Sequence, residues 1–262
     1  MTAAKTNALV LGASKKGGTG WAIAEALARA GAHVTVGARS AAGIAELANQ
    51  IGGQAVACDV TREDDVAGIA AKAASAGNGR IDIAVLAAGE GTGGMVDDIA
   101  EDQLRGTFDL NYFGPVYFVR HVTRHMPEGG SIVLMSSIAA SRAWPGYFSY
   151  GCSKAALEML VRYAALEFAP RGIRVNAVAP GPIQTEASAS RHNHPDVRAV
   201  FADEIPLGRT VKASEVAEVV TGLAISSPWV TGEIIHVDGG MHLRRAPDPE
   251  RLMAAMKKAG LA

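Results

Sequence analysis

The chain has 262 residues, 48% of them hydrophobic and 19% charged, with a formal net charge of −1. That length and apolar share bury one large core and fit a single domain. Near-neutral charge with both signs scattered excludes the electrostatic footprint of a binder of nucleic acid or anionic membrane. In chain order, the apolar run at residues 8–11 predicts a short buried strand that enters the glycine-rich segment 12–20. Residues 21–30 follow with helical periodicity, Ile23, Leu27 and Ala30 sharing a face and Gly31 acting as a stop. Strand, glycine-rich turn and helix together form the context of dinucleotide binding. The glycines admit the backbone close to a pyrophosphate, whose charge sits at the helix N-terminus.

A second strand at 33–36 completes a βαβ unit and ends in Gly37-Ala38-Arg39-Ser40. No carboxylate stands there to hold a ribose 2′-hydroxyl, whereas the Arg39 guanidinium matches a 2′-phosphate by bidentate pairing. Lys15 and Lys16 add positive charge nearby, so NADP(H) is favoured over NAD(H). Further strands are predicted at 54–58, 81–87, 132–135, 173–179 and 234–237, with helices between them. Thr61 reads as a helix N-cap, a long helix surrounds residues 109–114, and Ser214-Glu215 caps a helix to about residue 226. This alternation predicts an α/β fold, a Rossmann-like doubly wound parallel sheet with helices on both faces and ligands at the carboxyl ends of strands. At the end of the chain, Asp248, Pro249 and Glu250 read as N-cap, N1 and acidic first turn, and Lys257, Lys258 and Gly260 as the stop. Leu252, Met253 and Met256 give that tail an apolar stripe, expected to pack on the domain or a neighbouring subunit near a pocket. The cysteines Cys58 and Cys152 have neither metal spacing nor a disulfide framework, which suits a reducing cytoplasm. The pair His192 and His194 lacks companion ligands, so no metal is expected. No signal peptide or membrane-spanning run is read.

The chemistry concentrates between Ser137 and Lys154. If Tyr150 opens a helix, Lys154 lies one turn on, with Cβ atoms roughly 5–6 Å apart. A phenol titrates near pH 10 or so, about three units too high for ready proton transfer at neutrality. A cation about 5 Å away, at an effective dielectric near 20, favours the phenolate by roughly 3 kcal/mol, or about two pK units. Lys154 is therefore expected to lower the Tyr150 pKa. A Tyr-x-x-x-Lys pair alone is also an ordinary helical pair, so its companions decide.

Those companions occur in order: the glycine loop, Asp59-Val60, Ala88-Gly89, Asn111, Ser137, Tyr150-x-x-x-Lys154, Pro180-Gly181-x-x-x-Thr185 and Val237-Asp238-Gly239-Gly240. In this joint pattern the chain resembles the short-chain dehydrogenase/reductase family from about residue 8 to 240. The resemblance implies an oxidoreductase acting on a ketone or secondary alcohol, which with the Arg39 reading gives an NADP-dependent enzyme. It implies Tyr150 as acid or base, Ser137 as partner of the same oxygen, Lys154 on the nicotinamide ribose and Asn111 holding a relay water. Cofactor contacts are implied for Gly12, Ser14, Lys15, Gly18, Thr19 and Gly20 of the loop, and for Arg39, Asp59 and Val60 towards the adenosine. Ala88, Gly89, Tyr150 and Lys154 are implied further along, with Pro180, Gly181, Ile183 and Thr185 at the carboxamide and diphosphate. The implied organisation is a catalytic domain over 1–245, a substrate lid at about 186–207 and a helical tail over 246–262. In that lid Arg191, His192, His194 and Arg198 read as solvated. The implied partners are a small carbonyl or alcohol and further copies of the chain, as a dimer or tetramer in the cytoplasm.

Two departures stand out. The glycine loop is two residues longer than usual and has Leu11 in place of Thr, while Leu86-Ala87-Ala88-Gly89 replaces Asn-Asn-Ala-Gly. Relatives pair that Thr and an Asn across strands; losing both leaves no unsatisfied partner, and an apolar contact substitutes at little cost. The longer loop is similar to that of bacterial enoyl-acyl-carrier-protein reductases, whose active tyrosine lies seven residues before the lysine. Tyr147 stands at that spacing. Reduction of a 2-enoyl thioester through Tyr147, or of a 3-oxoacyl thioester, is thus the alternative, and aromatic packing over the pocket is the other role open to Tyr147.

Overall fold

The computed structural model describes residues 6–91, 93–184, 194–244 and 248–261. Strands β1 (Asn7–Leu11), β2 (His33–Ala38), β3 (Gln54–Ala57), β4 (Ile83–Leu86), β5 (Ser131–Met135) and β6 (Arg174–Pro180) join β9 (Ile234–Val237) in one sheet. Its order is β3-β2-β1-β4-β5-β6-β9, and every pairing is parallel. The minor strands β7 (Ile183–Gln184) and β8 (Val211–Lys212) pair separately. A parallel sheet covered on both faces needs strands that are apolar on both sides, which is why β1 and β5 are buried at every position.

Strand pleating divides the core in two. Leu9 and Leu11 of β1 face helices α3 (Glu63–Ala76), α5 (Gly114–Val122) and α6 (Phe148–Phe168), among Ile69, Phe118 and Leu157. Ala8 and Val10 face α1 (Thr19–Arg29), α2 (Ala41–Ile51) and α8 (Ala213–Thr221), among Leu27, Leu47 and Val220. The predicted doubly wound α/β sheet is therefore present. Leu11 lies opposite Leu86 in the β1–β4 ladder, both buried, so the apolar contact expected from the sequence occupies that position.

Three local readings need correction. Thr61 caps no helix: its hydroxyl donates to Asp59 Oδ1 at 2.8 Å, and α3 starts after Arg62 without a side-chain cap. The acidic first turn of Glu63, Asp64 and Asp65 complements the helix dipole there. Ser214 is likewise not the cap of α8; Lys212 holds that place, its N–H donating to Glu215 at 2.8 Å. The helix around residue 111 is three segments, α4 (Glu101–Phe108), a π-helical turn (Asp109–Phe113) and α5.

Beyond the sheet, α7 (Pro195–Glu204) and α9 (Pro249–Lys258) form a small second core. Asp248 caps α9 as its sequence suggests, accepting from the N–H groups of Glu250 and Arg251 at 3.0 and 3.4 Å. Leu252 and Met256 pack on Ile138, Val197, Phe201 and Met241. The ion pair of Arg251 with Asp203 is exposed and adds little beside that apolar contact. Replacing both Leu252 and Met256 by Ala should cost about 2 kcal/mol, a fall of roughly 4–8 °C in Tm. Thermal denaturation checks this, and an unchanged Tm would show that α9 does not dock.

Candidate active site

At the carboxyl ends of β1 to β4 lies a crevice of about 550 Å³. Gly12, Ser14, Lys15, Gly18, Thr19 and Gly20 line it from the glycine loop, with Arg39, Asp59, Val60, Ala88 and Gly89 from the neighbouring strand ends. Gly12 has φ +88, and a Cβ there would stand 2.3 Å from the Ala88 nitrogen, so the loop lies hard against the end of β4. Helix α1 starts at Gly18 with no side-chain cap and no acidic residue in its first turn. Its N-terminal field is thus left for an anion, and this cradle fits the diphosphate of a dinucleotide. At the rim, Arg39 is exposed, while Lys16 pairs with Glu46 at 3.0 Å. Burial pushes the Asp59 carboxyl up, but bonds from Thr61 and the charges of Arg39 and Arg62 outweigh it and hold the group below its ordinary range.

Ser137 follows β5 and caps a short 3₁₀ turn (Ile138–Ala140), its Oγ accepting from the Ala139 N–H at 3.2 Å. Tyr150 lies in the first turn of α6, and Lys154 one turn further, 2% exposed. The Lys154 ammonium donates to the Met135 carbonyl at 2.8 Å and stands 5.7 Å from the centre of the Tyr150 ring. Burial pulls the Lys154 pKa down to about 8.

Tyr150 departs from the sequence-based expectation. Its pKa is raised, chiefly by burial; the neighbouring Ser137 hydroxyl pulls the other way, and Tyr147 adds to the rise. Lys154 does not overcome this, because its ammonium is turned to the Met135 carbonyl and is itself disfavoured by burial. Tyr150 is therefore a neutral phenol at physiological pH.

Asn111 is fully buried in the π-helical turn, and its amide brackets one backbone unit. Nδ2 donates to the Glu90 carbonyl at 2.9 Å and Oδ1 accepts from the Glu90 N–H at 3.2 Å. Gly89 lies between this amide and Lys154: a Cβ there would be 3.0 Å from Nζ and 3.1 Å from Oδ1. The side chain thus fixes the strand-end segment 88–90 against the lysine, a positioning role that the sequence did not suggest.

A second cavity, of about 440 Å³, has Ser137, Tyr147, Tyr150 and Gly181 on its wall. The rest of its lining is mostly apolar, including Trp144, Phe201, Leu252 and Met256, with Arg142 as the one charged side chain among the described residues that line it. Tyr147 sits on the threshold of α6, 39% exposed, its ring 5.8 Å from that of Trp144. Pro180 and Ile183 line neither cavity. Gly181 is pressed against Asp238, where a Cβ would meet the Asp238 Cβ at 3.0 Å. Thr185, Arg191 and His192 lie outside the described residues. His194 stands 3.9 Å from Asp196, and Arg198 lies on α7. The sequence reading missed Arg142 and Trp144; a charged and a large aromatic side chain between Ser137 and Tyr147 was the available signal.

Residues 12–242 match the family model described as Enoyl-(Acyl carrier protein) reductase. The chain is 37% identical over 241 residues to cis-4-hydroxycyclohexanecarboxylate dehydrogenase of Sinomonas cyclohexanicum, covering 89% of this chain and 95% of that protein. Against enoyl-acyl-carrier-protein reductase (NADH) 1 of Rhizobium meliloti it is 35% identical over 246 residues, 89% of each chain. Among solved structures, a short-chain type dehydrogenase/reductase from Mycobacterium ulcerans superposes with a TM-score of 0.87 at 33% identity, over 93% of this chain and 92% of that one.

The buried lysine gives a pH signature. Its folded pKa lies below the ordinary value of 10.5, so between about 8 and that value the unfolded chain binds more protons. Stability should accordingly rise with pH through this window, as the cost of burying the charge fades. Chemical denaturation of wild type and Lys154→Met isolates the effect: the wild type should gain on the variant between pH 7 and 10 or so. A pH-independent difference would contradict it.

Proposed function

The chain belongs to the short-chain dehydrogenase/reductase family, and from that premise we propose that it transfers a hydride between NADP(H) and a ketone or secondary alcohol. The observation that carries this reading is the Ser137 hydroxyl and a neutral Tyr150 together on the wall of a largely apolar cavity. A carbonyl oxygen reaching that pair meets two O–H donors. Ser137 steadies the negative charge that develops on the oxygen, and Tyr150 delivers the proton. In the reverse direction Tyr150 first gives its own proton to the relay water and then, as the phenolate, accepts the alcohol proton. Lys154, one helical turn away, holds the nicotinamide ribose and draws the phenolate charge. Asn111 fixes the segment 88–90 beside that lysine, and a relay water near it completes the proton path. The bound nicotinamide supplies the hydride in reduction and takes it up in oxidation. One relative is named for a ring secondary alcohol, which supports this substrate class.

For the cofactor, NADP(H) is favoured by the exposed Arg39 at the end of β2, a strand that itself ends without a carboxylate. Two free thiols suit a cytoplasmic setting. Met159, Tyr163 and Leu166 are exposed on α6, an apolar face that supports assembly into a dimer or tetramer.

A second reading, reduction of a 2-enoyl thioester through Tyr147, is favoured by the description of the matching family model and by Tyr147 on the same cavity wall. The carbonyl reading ranks first because Ser137, Tyr150 and Asn111 together make up the carbonyl-reducing set that the sequence pattern implies. Assays of ketones and 2-enoyl thioesters with each nucleotide separate the two. Tyr150→Phe should lower ketone turnover by about 10³-fold while NADPH still binds, and Tyr147→Phe should lower it far less. Enoyl turnover sensitive to Tyr147→Phe alone would reverse the ranking. Arg39→Ala should weaken NADPH by about 10- to 100-fold more than NADH, measured by fluorescence titration. Equal weakening of both nucleotides would overturn the cofactor preference.

A further inference from the structure

We infer that the substrate of this site joins an apolar body to a carboxylate, and that Arg142 is the residue that recognises the carboxylate. The inference rests on the reading of the Tyr150 cavity as the substrate pocket and adds the substrate's chemical class.

Arg142 is half-buried on the cavity wall, and no acidic residue is among the described residues that line the cavity. Its side chain makes no hydrogen bond or ion pair with any described residue. Several other guanidinium groups have carboxylate partners: Arg80 with Asp82, Arg105 with Glu101, Arg120 with Glu63 and Arg209 with Glu215. Among the described residues that line the two cavities, the arginines are Arg39 in the dinucleotide crevice, where Asp59 is near, and Arg142 here, with no acidic neighbour on its wall. A guanidinium stays charged at every physiological pH, and placing it among apolar walls without a counter-charge is unfavourable. A ligand carboxylate removes that cost and offers two oxygens to its fork of donors.

The remaining lining fixes what is attached to the carboxylate. Trp144, Val197, Phe201, Leu252 and Met256 give walls with few polar atoms, which suit a hydrocarbon ring or short chain and offer a polyol little. A volume of about 440 Å³ agrees with a molecule of that size. Geometry ties the two ends together. Ser137 caps the 3₁₀ turn at its start, and the Arg142 N–H closes it on the Ile138 carbonyl at 2.9 Å. Ser137 and Arg142 are therefore tied through the backbone of one short turn, which puts the oxygen-binding hydroxyl and the arginine on the same wall of the cavity.

Isothermal titration with NADP⁺ present tests this, using cyclohexanecarboxylate and the uncharged cyclohexanecarboxamide as probes. Wild type should bind the acid at least about tenfold more tightly than the amide. Arg142→Met should lose that preference, and Arg142→Lys should keep part of it. Acid and amide binding alike to wild type, including neither binding, overturns the inference, as does a preference that survives in Arg142→Met. Tyr150→Phe should retain the preference for the acid. Failure of the proposed reaction, read by turnover of ketones, is thus separate from failure of the carboxylate site, read by this ratio.

Discussion

The site depends on one buried ammonium group. Lys154 is enclosed almost completely, yet its Nζ has a carbonyl partner at the end of β5 and reaches towards the strand end of β4. Holding a charge there is costly, and several parts of the chain are fitted to it. At Gly89 a Cβ would stand only 3.0 Å from the lysine Nζ and 3.1 Å from the amide oxygen of Asn111, so a side chain there would crowd both. Asn111 is set in a π-helical turn, where a register change in the helix lets its amide clamp Glu90. Helix α6 delivers Tyr150 and Lys154 on one face because four residues make about one turn.

Burial also settles the state of the proposed acid. An opposite charge nearby and withdrawal from water act against each other on a phenol. Here withdrawal from water wins, the nearby Ser137 hydroxyl offsets part of it, and Tyr147 adds to the rise. A phenol kept neutral is the form that donates to a carbonyl oxygen, so the electrostatics agree with reduction. A ligand bringing polar groups into the cavity beside Tyr150 changes that balance. The proton affinity of Tyr150 is coupled to what binds beside it.

Around this centre the walls come from distant parts of the chain. The turn after Ser137, α7, the 3₁₀ turn at Met241 and α9 meet in the second core, and the same side chains that pack there face the cavity. Stability of the tail and shape of the pocket are therefore one problem. Substitutions in α9 act on both. Arg142 stands apart in this wall as the charged group that packing does not explain.

Much of this was legible in the sequence. Parallel strands buried on both faces appear as short apolar runs, and the glycine loop declares itself between the first strand and helix, since a Cβ at Gly12 has no room. The α9 cap was equally plain, because Asp248 bonds N–H groups two and three residues away. The misplaced caps at Thr61 and Ser214 show the limit of local patterns, since Asp59 claims one hydroxyl and Lys212 takes the other position. Sequence alone thus determined the parallel sheet, the crevice and the spacing of Tyr150 and Lys154, which rest on residues close along the chain. The tertiary structure decided the rest: the neutral state of Tyr150, the clamp of Asn111 on Glu90 and the company of Arg142. Each depends on burial or on partners many residues away, and local periodicity holds no record of either.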